Sequence, residues 1–112
     1  MADLDTNVVP LTGLQFDTEY VAAAGGGDTC DTGPGVLLLV KNGDASPHTV
    51  TLATPETVDG LAVADRTVNV PAGADVAIPV THRYRDPSTG RAAVTYDGVT
   101  SVQVAVVRAS VT

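Results

Sequence analysis

Residues 35–55 read GVLLLVKNGDASPHTVTLATP, and the fold class turns on them. VLLLV, residues 36–40, is apolar at every position, the pattern of a central strand covered on both faces. NGDASP, residues 42–47, supplies turn formers: Asn and Asp bond their own backbone, and Gly and Pro fix unusual dihedrals. HTVTLAT, residues 48–54, then alternates, with Val50 and Leu52 on one face and Thr49 and Thr51 on the other. A strand, a turn and a half-buried strand follow one another with no helical periodicity between them.

The same grammar extends downstream. RTVNV, residues 66–70, alternates through Val68 and Val70, and PAG at 71–73 is a turn. In ADVAIPV, residues 74–80, Val76, Ile78 and Val80 are in phase. Pro79 has no N–H for a ladder, which places that strand at a sheet edge or a bulge. DPSTG at 86–90 turns the chain into RAAVTY, with Ala92, Val94 and Tyr96 on one face. Asp97 and Gly98 open another turn, and SVQVAVVRA closes with Val102, Val104 and Val106 inward. Upstream, GLQFDTEYVAAA predicts one or two strands with Leu14 and Phe16 facing the core. AAAGGGDTCDTGPG, residues 22–35, predicts a long flexible loop. PETVDGLAVAD, residues 55–65, is the best helical candidate, but Gly60 interrupts it and a loop or single turn is expected. The expected fold is all-β: an antiparallel β-sandwich, jelly-roll- or Ig-like, of seven to eight short strands. Residues 1–14 are expected as an N-terminal arm and residues 15–112 as one sandwich domain.

Composition agrees with one domain. The chain has 112 residues with 44% hydrophobic content, enough for a core. Aromatics are few (Phe16, Tyr20, Tyr84 and Tyr96), so the core falls to Val, Leu, Ile and Ala. The formal charge is -7, and most acids are Asp beside turn residues, which gives a solvated acidic exterior. That balance argues against nucleic acid, which demands clustered Lys and Arg. No run approaches the ~20 apolar residues of a membrane span. The opening MADLDTNVVPLTG lacks the basic and apolar segments of a signal peptide, so folding in a cytoplasm is expected. Cys30 is the one cysteine, and packing alone must hold the domain.

Groups that could do chemistry are sparse. Asp28 and Asp31 flank Cys30 in a Gly-rich stretch, but a calcium site needs about six to eight oxygens. Asp31-Thr32-Gly33 matches the triplet of dimeric, retroviral-type aspartic proteases, in which two such Asp side chains share a proton. Thr29 and Cys30 before it and Pro34 after it do not fit that family's context. Cys30 as a nucleophile would need His48 or His82 as base, and neither lies in a signature; both are expected to be exposed. The two histidines and the cysteine match no zinc spacing. Neither a catalytic site nor a cofactor is expected, and the reading is a binding or building domain. A carbohydrate- or cell-surface-binding sandwich is one alternative, though such sites usually offer aromatic platforms.

Two phrases carry a resemblance. PGVLLLVKNGDASPHTVTLATPETVDGLAVADRTVNVPAGADVAIPV, followed by GRAAVTYDGVTSVQVAVVRA, resembles small virion proteins of tailed phages that infect actinobacteria. The likeness covers about residues 33 to 110, through the LLLV strand, HTVT, VADRTVNVPAG and VTYDGVTSVQVAVVR. It implies a head decoration or minor capsid protein, made in a bacterial cytoplasm and bound on the capsid surface to the major capsid protein. A homo-oligomer is implied, with a trimer as first expectation, and a head–tail connector or tail component as the alternative. Two stretches are expected to make the contacts. One is the N-terminal arm, through Asp3, Leu4, Val8, Val9 and Leu11. The other is the edge strand carrying Pro79 with the loop THRYRDPSTG, where Tyr84 between Arg83 and Arg85 has the residue types enriched at interface hot spots.

Overall fold

A computed structural model describes residues 2–55 and 57–109. The strands, in chain order, are β1 (Ala2–Asp3), β2 (Thr6–Val9), β3 (Val21–Ala22), β4 (Asp28–Cys30), β5 (Val36–Asn42), β6 (His48–Leu52) and β7 (Thr57–Val58). They continue with β8 (Leu61–Ala62), β9 (Arg66–Val70), β10 (Asp75–Pro79), β11 (Arg85–Asp86), β12 (Arg91–Tyr96) and β13 (Val102–Ala109). Two single 3-10 turns, Phe16–Thr18 and His82–Tyr84, are the helical segments among the described residues.

Two sheets form an all-β sandwich. Sheet A runs β1-β4-β12-β6-β9, with β11 added on β12; sheet B runs β10-β5-β13-β2, with β3 added on β13. Among its longer strands the chain crosses from one sheet to the other at every step except β6 to β9. This interleaving of β4-β12-β6-β9 with β2-β13-β5-β10 is a jelly-roll order rather than an Ig one. Pairing is antiparallel except at the N-terminus, where β1 runs parallel to β4 and β2 parallel to β13.

The alternating runs supply the core as expected. Val50 and Leu52, Val70, Ile78 and Val80, Ala92 and Val94, and Val102, Val104 and Val106 are buried between the sheets. Each fully buried Val or Leu contributes about 1.5–3 kcal/mol over its exposed state. Pro79 lies on β10, an edge of sheet B, where its missing N–H costs no ladder bond. The β5–β6 turn is fixed from within: Asn42 is 1% exposed, and its amide donates to the carbonyls of Ser46 (2.9 Å) and Val70 (3.1 Å). Its Oδ1 accepts from the Asp44 N–H at 3.0 Å.

Four expectations change. Residues 57–62 are a tight hairpin, β7–β8, because Asp59 and Gly60 both adopt positive φ (53° and 77°), as a type I′ turn demands; Glu56 lies outside the described residues. Asp28–Cys30 is a strand buried at all three positions, not part of a flexible loop, because β1 and β12 pair with it on either side. Leu14 and Phe16 do not enter the core. The 3-10 turn places Phe16 half exposed, and both line a groove over the outer face of sheet B. Finally, the expected N-terminal arm is part of the sandwich, with β1 in one sheet and β2 in the other.

Candidate functional site

Arg91 shows how the N-terminal segment is held. It begins β12, and its side chain reaches across β4 toward β1 and β2. Nε donates to Thr29 Oγ1 at 3.0 Å, Nη1 to Asp31 Oδ1 at 3.1 Å, and Nη2 to the Leu4 carbonyl at 2.7 Å. Thr6 Oγ1 donates to the other Asp31 oxygen, and Thr29 Oγ1 donates to Asp3 Oδ1. The Leu4 N–H donates to the Thr29 carbonyl at 2.8 Å, and the Leu4 side chain is 5% exposed in the core. The planar guanidinium thus ties β12 to residues 29–31 and to Leu4 with a fork of charge-assisted bonds, and through Asp31 and Thr29 the network reaches Thr6 and Asp3.

Within the chain, the Asp31 carboxylate of the protease-like triplet is bonded to Arg91 and Thr6. Next to it, Asp28 is fully buried and accepts from Tyr96 Oη at 2.7 Å and from the Ala24 N–H at 3.2 Å. Burial, and then the bond to the Asp28 carboxylate, push the Tyr96 phenol up. Burial likewise pushes the Cys30 thiol up to about 11. A thiol held so far above neutral pH carries almost no thiolate, the reactive form. His82 is exposed and faces Thr32 (Nδ1 to Oγ1 3.0 Å), not Cys30. His48 departs from the expected exposure: its side chain is 12% exposed and lies between Asp44 and Asp97. Among the described residues, no three His, Cys, Asp or Glu side chains gather as metal ligands.

The predicted contact residues separate into two groups. Asp3 is exposed and accepts from Thr29 Oγ1, and Leu4 is buried in the core. Tyr84 is 8% exposed, and the chain turns it under Arg66, whose Nε lies 3.5 Å from its hydroxyl. Arg83 and Arg85 stay exposed on either side, without an aromatic anchor between them at the surface. Val8 and Leu11, by contrast, are 57% and 85% exposed. Val9, Leu14 and Phe16 meet Leu37, Leu39 and Val107 around an apolar groove of about 220 Å³.

The groove explains the VLLLV run. Val36, Leu38 and Val40 point between the sheets and are buried, whereas Leu37 and Leu39 point outward and are half-buried under residues 9–16. Sheet B is therefore apolar on its outer face too, and its cover is partial. Phe16 packs edge-on to Tyr20 with ring centroids 6.5 Å apart, and the Lys41 ammonium sits 5.9 Å from the Tyr20 ring. The result is an apolar strip on the outer face of sheet B.

Sequence reasoning missed this strip's composition, because it gave Leu14 and Phe16 to the core. It also missed Arg91, whose partners lie 60 to 87 residues away in the chain. Compared with known protein families, curated proteins and solved structures, the chain matches none of them.

Proposed function

We propose that this protein is a non-enzymatic structural component of a phage particle, a decoration or minor capsid protein bound as a homo-oligomer to the major capsid lattice. The observation that carries the reading is the apolar strip on the outer face of sheet B. Phe16, 49% exposed, lines the groove with Val9, Leu37, Leu39 and Val107, and Leu11, two residues along the chain from Val9, is 85% exposed. Exposed large side chains gathered on a rigid face are the mark of an interaction surface. The sequence resemblance over residues 33 to 110 supplies the kind of partner.

A trimer fits the work such a protein would do. Each copy offers one modest patch, and several copies held in a ring bind a repeating shell with an affinity none has alone. A disulfide-free Val and Leu core suits assembly in a bacterial cytoplasm. The exposed acids keep the free protein soluble until the strip is covered.

The test is a pair of substitutions, Leu11→Asp with Phe16→Asp. Both side chains are exposed, so the melting temperature should stay within a few degrees of the parent. Co-sedimentation with undecorated shells should weaken by at least about tenfold, since 1.4 kcal/mol is a factor of ten. Shell binding at parental strength by the folded double variant would remove the strip from the reading.

A further inference from the structure

The end of the sandwich that carries the β5–β6 and β12–β13 turns is joined by one imidazole. His48 begins β6. Its Nε2 lies 2.9 Å from Asp44 Oδ2 in the β5–β6 turn, and its Nδ1 lies 3.0 Å from Asp97 Oδ1 in the β12–β13 turn. A carboxylate can only accept, so both contacts are hydrogen bonds when both ring nitrogens carry protons. A neutral imidazole has one N–H. Its other nitrogen would turn a lone pair toward a carboxylate.

The surroundings are arranged for the ring. Asp44 Oδ1 is held by the Ala45 N–H at 2.7 Å, and the Asp97 N–H donates to the Thr49 carbonyl at 3.1 Å. Gly98 leaves the space the ring occupies: a Cβ there would sit 3.1 Å from His48 Cε1. The two turns also touch directly, through Gly43 N–H to the Ser101 carbonyl at 2.9 Å. Ser101 has φ 57°, a left-handed conformation that costs a non-Gly residue energy and persists only where its surroundings hold it.

We infer that Asp44, His48 and Asp97 form a pH-sensitive clasp that locks these two turns together when the imidazole is doubly protonated and frees one of them when it is neutral. The charged groups facing the ring are Asp44 and Asp97; its cross-strand partner on β9 is the apolar Val70. The hydrogen bonds that the ring donates to Asp44 and then to Asp97 raise its affinity for the second proton above the ordinary 6.5. The His48 bond is the first cause that holds Asp44 below the usual carboxylate range; Asp97 is held below it first by a backbone hydrogen bond with Thr49 and then by His48. A group whose folded pKa is raised stabilises the fold fully below its unfolded value. That contribution is lost as pH rises through the folded pKa. The clasp is therefore closed in mild acid and opens toward alkaline pH. Its carboxylates also open it, in strong acid, when they take up protons.

The experiment is a pH titration of the 15N-labelled full chain by NMR, with hydrogen exchange at each pH. His48 should titrate above 6.5 with both ring nitrogens protonated at its acidic end. The protection factor of the Gly43 amide should fall as His48 deprotonates. In Asp97→Asn, the midpoint should drop toward 6.5 while the spectrum stays dispersed. In His48→Gln, Gly43 protection should lose its pH dependence across that window. A midpoint at or below 6.5 in the parent, or Gly43 protection that varies with pH alike in parent and His48→Gln, would overturn the clasp. If His48→Gln does not fold, the parent and Asp97→Asn midpoints decide alone.

Discussion

Removing residues 1–9 is expected to abolish the cooperative unfolding transition rather than to trim an arm. The segment carries Leu4, which is in the core, and truncating a buried Leu costs about 2–5 kcal/mol. It carries the Leu4 carbonyl and the Thr6 hydroxyl, so Arg91 and Asp31 would each lose a partner. A hydrogen bond to a charged group is worth about 1.5–3 kcal/mol. It also covers the edge of β13 from Val106 to Ala109 and extends sheet A beyond β4. Unpaired edges of that kind invite aggregation. Together these losses rival the whole stability of a domain, roughly 5–15 kcal/mol. Thermal melting followed by circular dichroism, with size-exclusion chromatography, checks this. The milder Arg91→Met should lower stability by about 3 kcal/mol and leave the protein folded. A truncated protein that melts sharply near the parental temperature would contradict the account of the staple.

Leu38→Ala and Leu37→Ala, neighbours on β5, should differ widely. Leu38 is 0% exposed between the sheets, and its loss leaves a cavity that two rigid sheets cannot collapse around. The expected cost is about 3–5 kcal/mol, or roughly 10–20 °C in melting temperature for a domain near 100 residues. Leu37 faces the partly covered groove, and its loss should cost about 1 kcal/mol while weakening any contact made by the strip. Denaturant unfolding of the two variants measures both. Equal costs would mean that the outer face is packed as tightly as the core.

This pair also shows what could be read from the residues. The period-2 runs named the inward faces of β6, β9, β10, β12 and β13, because alternation in a strand maps directly onto the two sides of a sheet. VLLLV showed that both faces of β5 are apolar, and pairing on both sides made it central. It could not show that one face meets a sheet and the other only residues 9–16. Leu14 and Phe16 looked like a strand because their spacing is two, yet the backbone turns into a 3-10 bend there. Gly25 to Gly27 masked the buried β4 that follows, since local composition reports on the loop and not on what pairs beside it. The staple and the clasp are non-local. Arg91 finds Leu4, and His48 finds Asp97, only after the sheets close. Asp44 and His48 were close enough in sequence to suggest a turn bond, but nothing local marked Asp97 as the second partner.

The same limit applies to the contact surface. Tyr84 between two arginines has the composition of a hot spot, but the 3-10 turn His82–Tyr84 rotates it inward. Leu11 and Phe16 lack that signature and lie where a partner could reach them. Exposure, which is a property of the fold, separates the two sets.

The central claim is that the chain is a stoichiometric component of a phage shell. The measurement that tests it most directly is its copy number in purified particles, by quantitative mass spectrometry against the major capsid protein. The account predicts a ratio of about one, or a simple fraction such as about one third, as lattice symmetry requires. A handful of copies per particle would place the chain at a connector or tail and contradict the decoration role. Complete absence from the particle would contradict the virion reading itself.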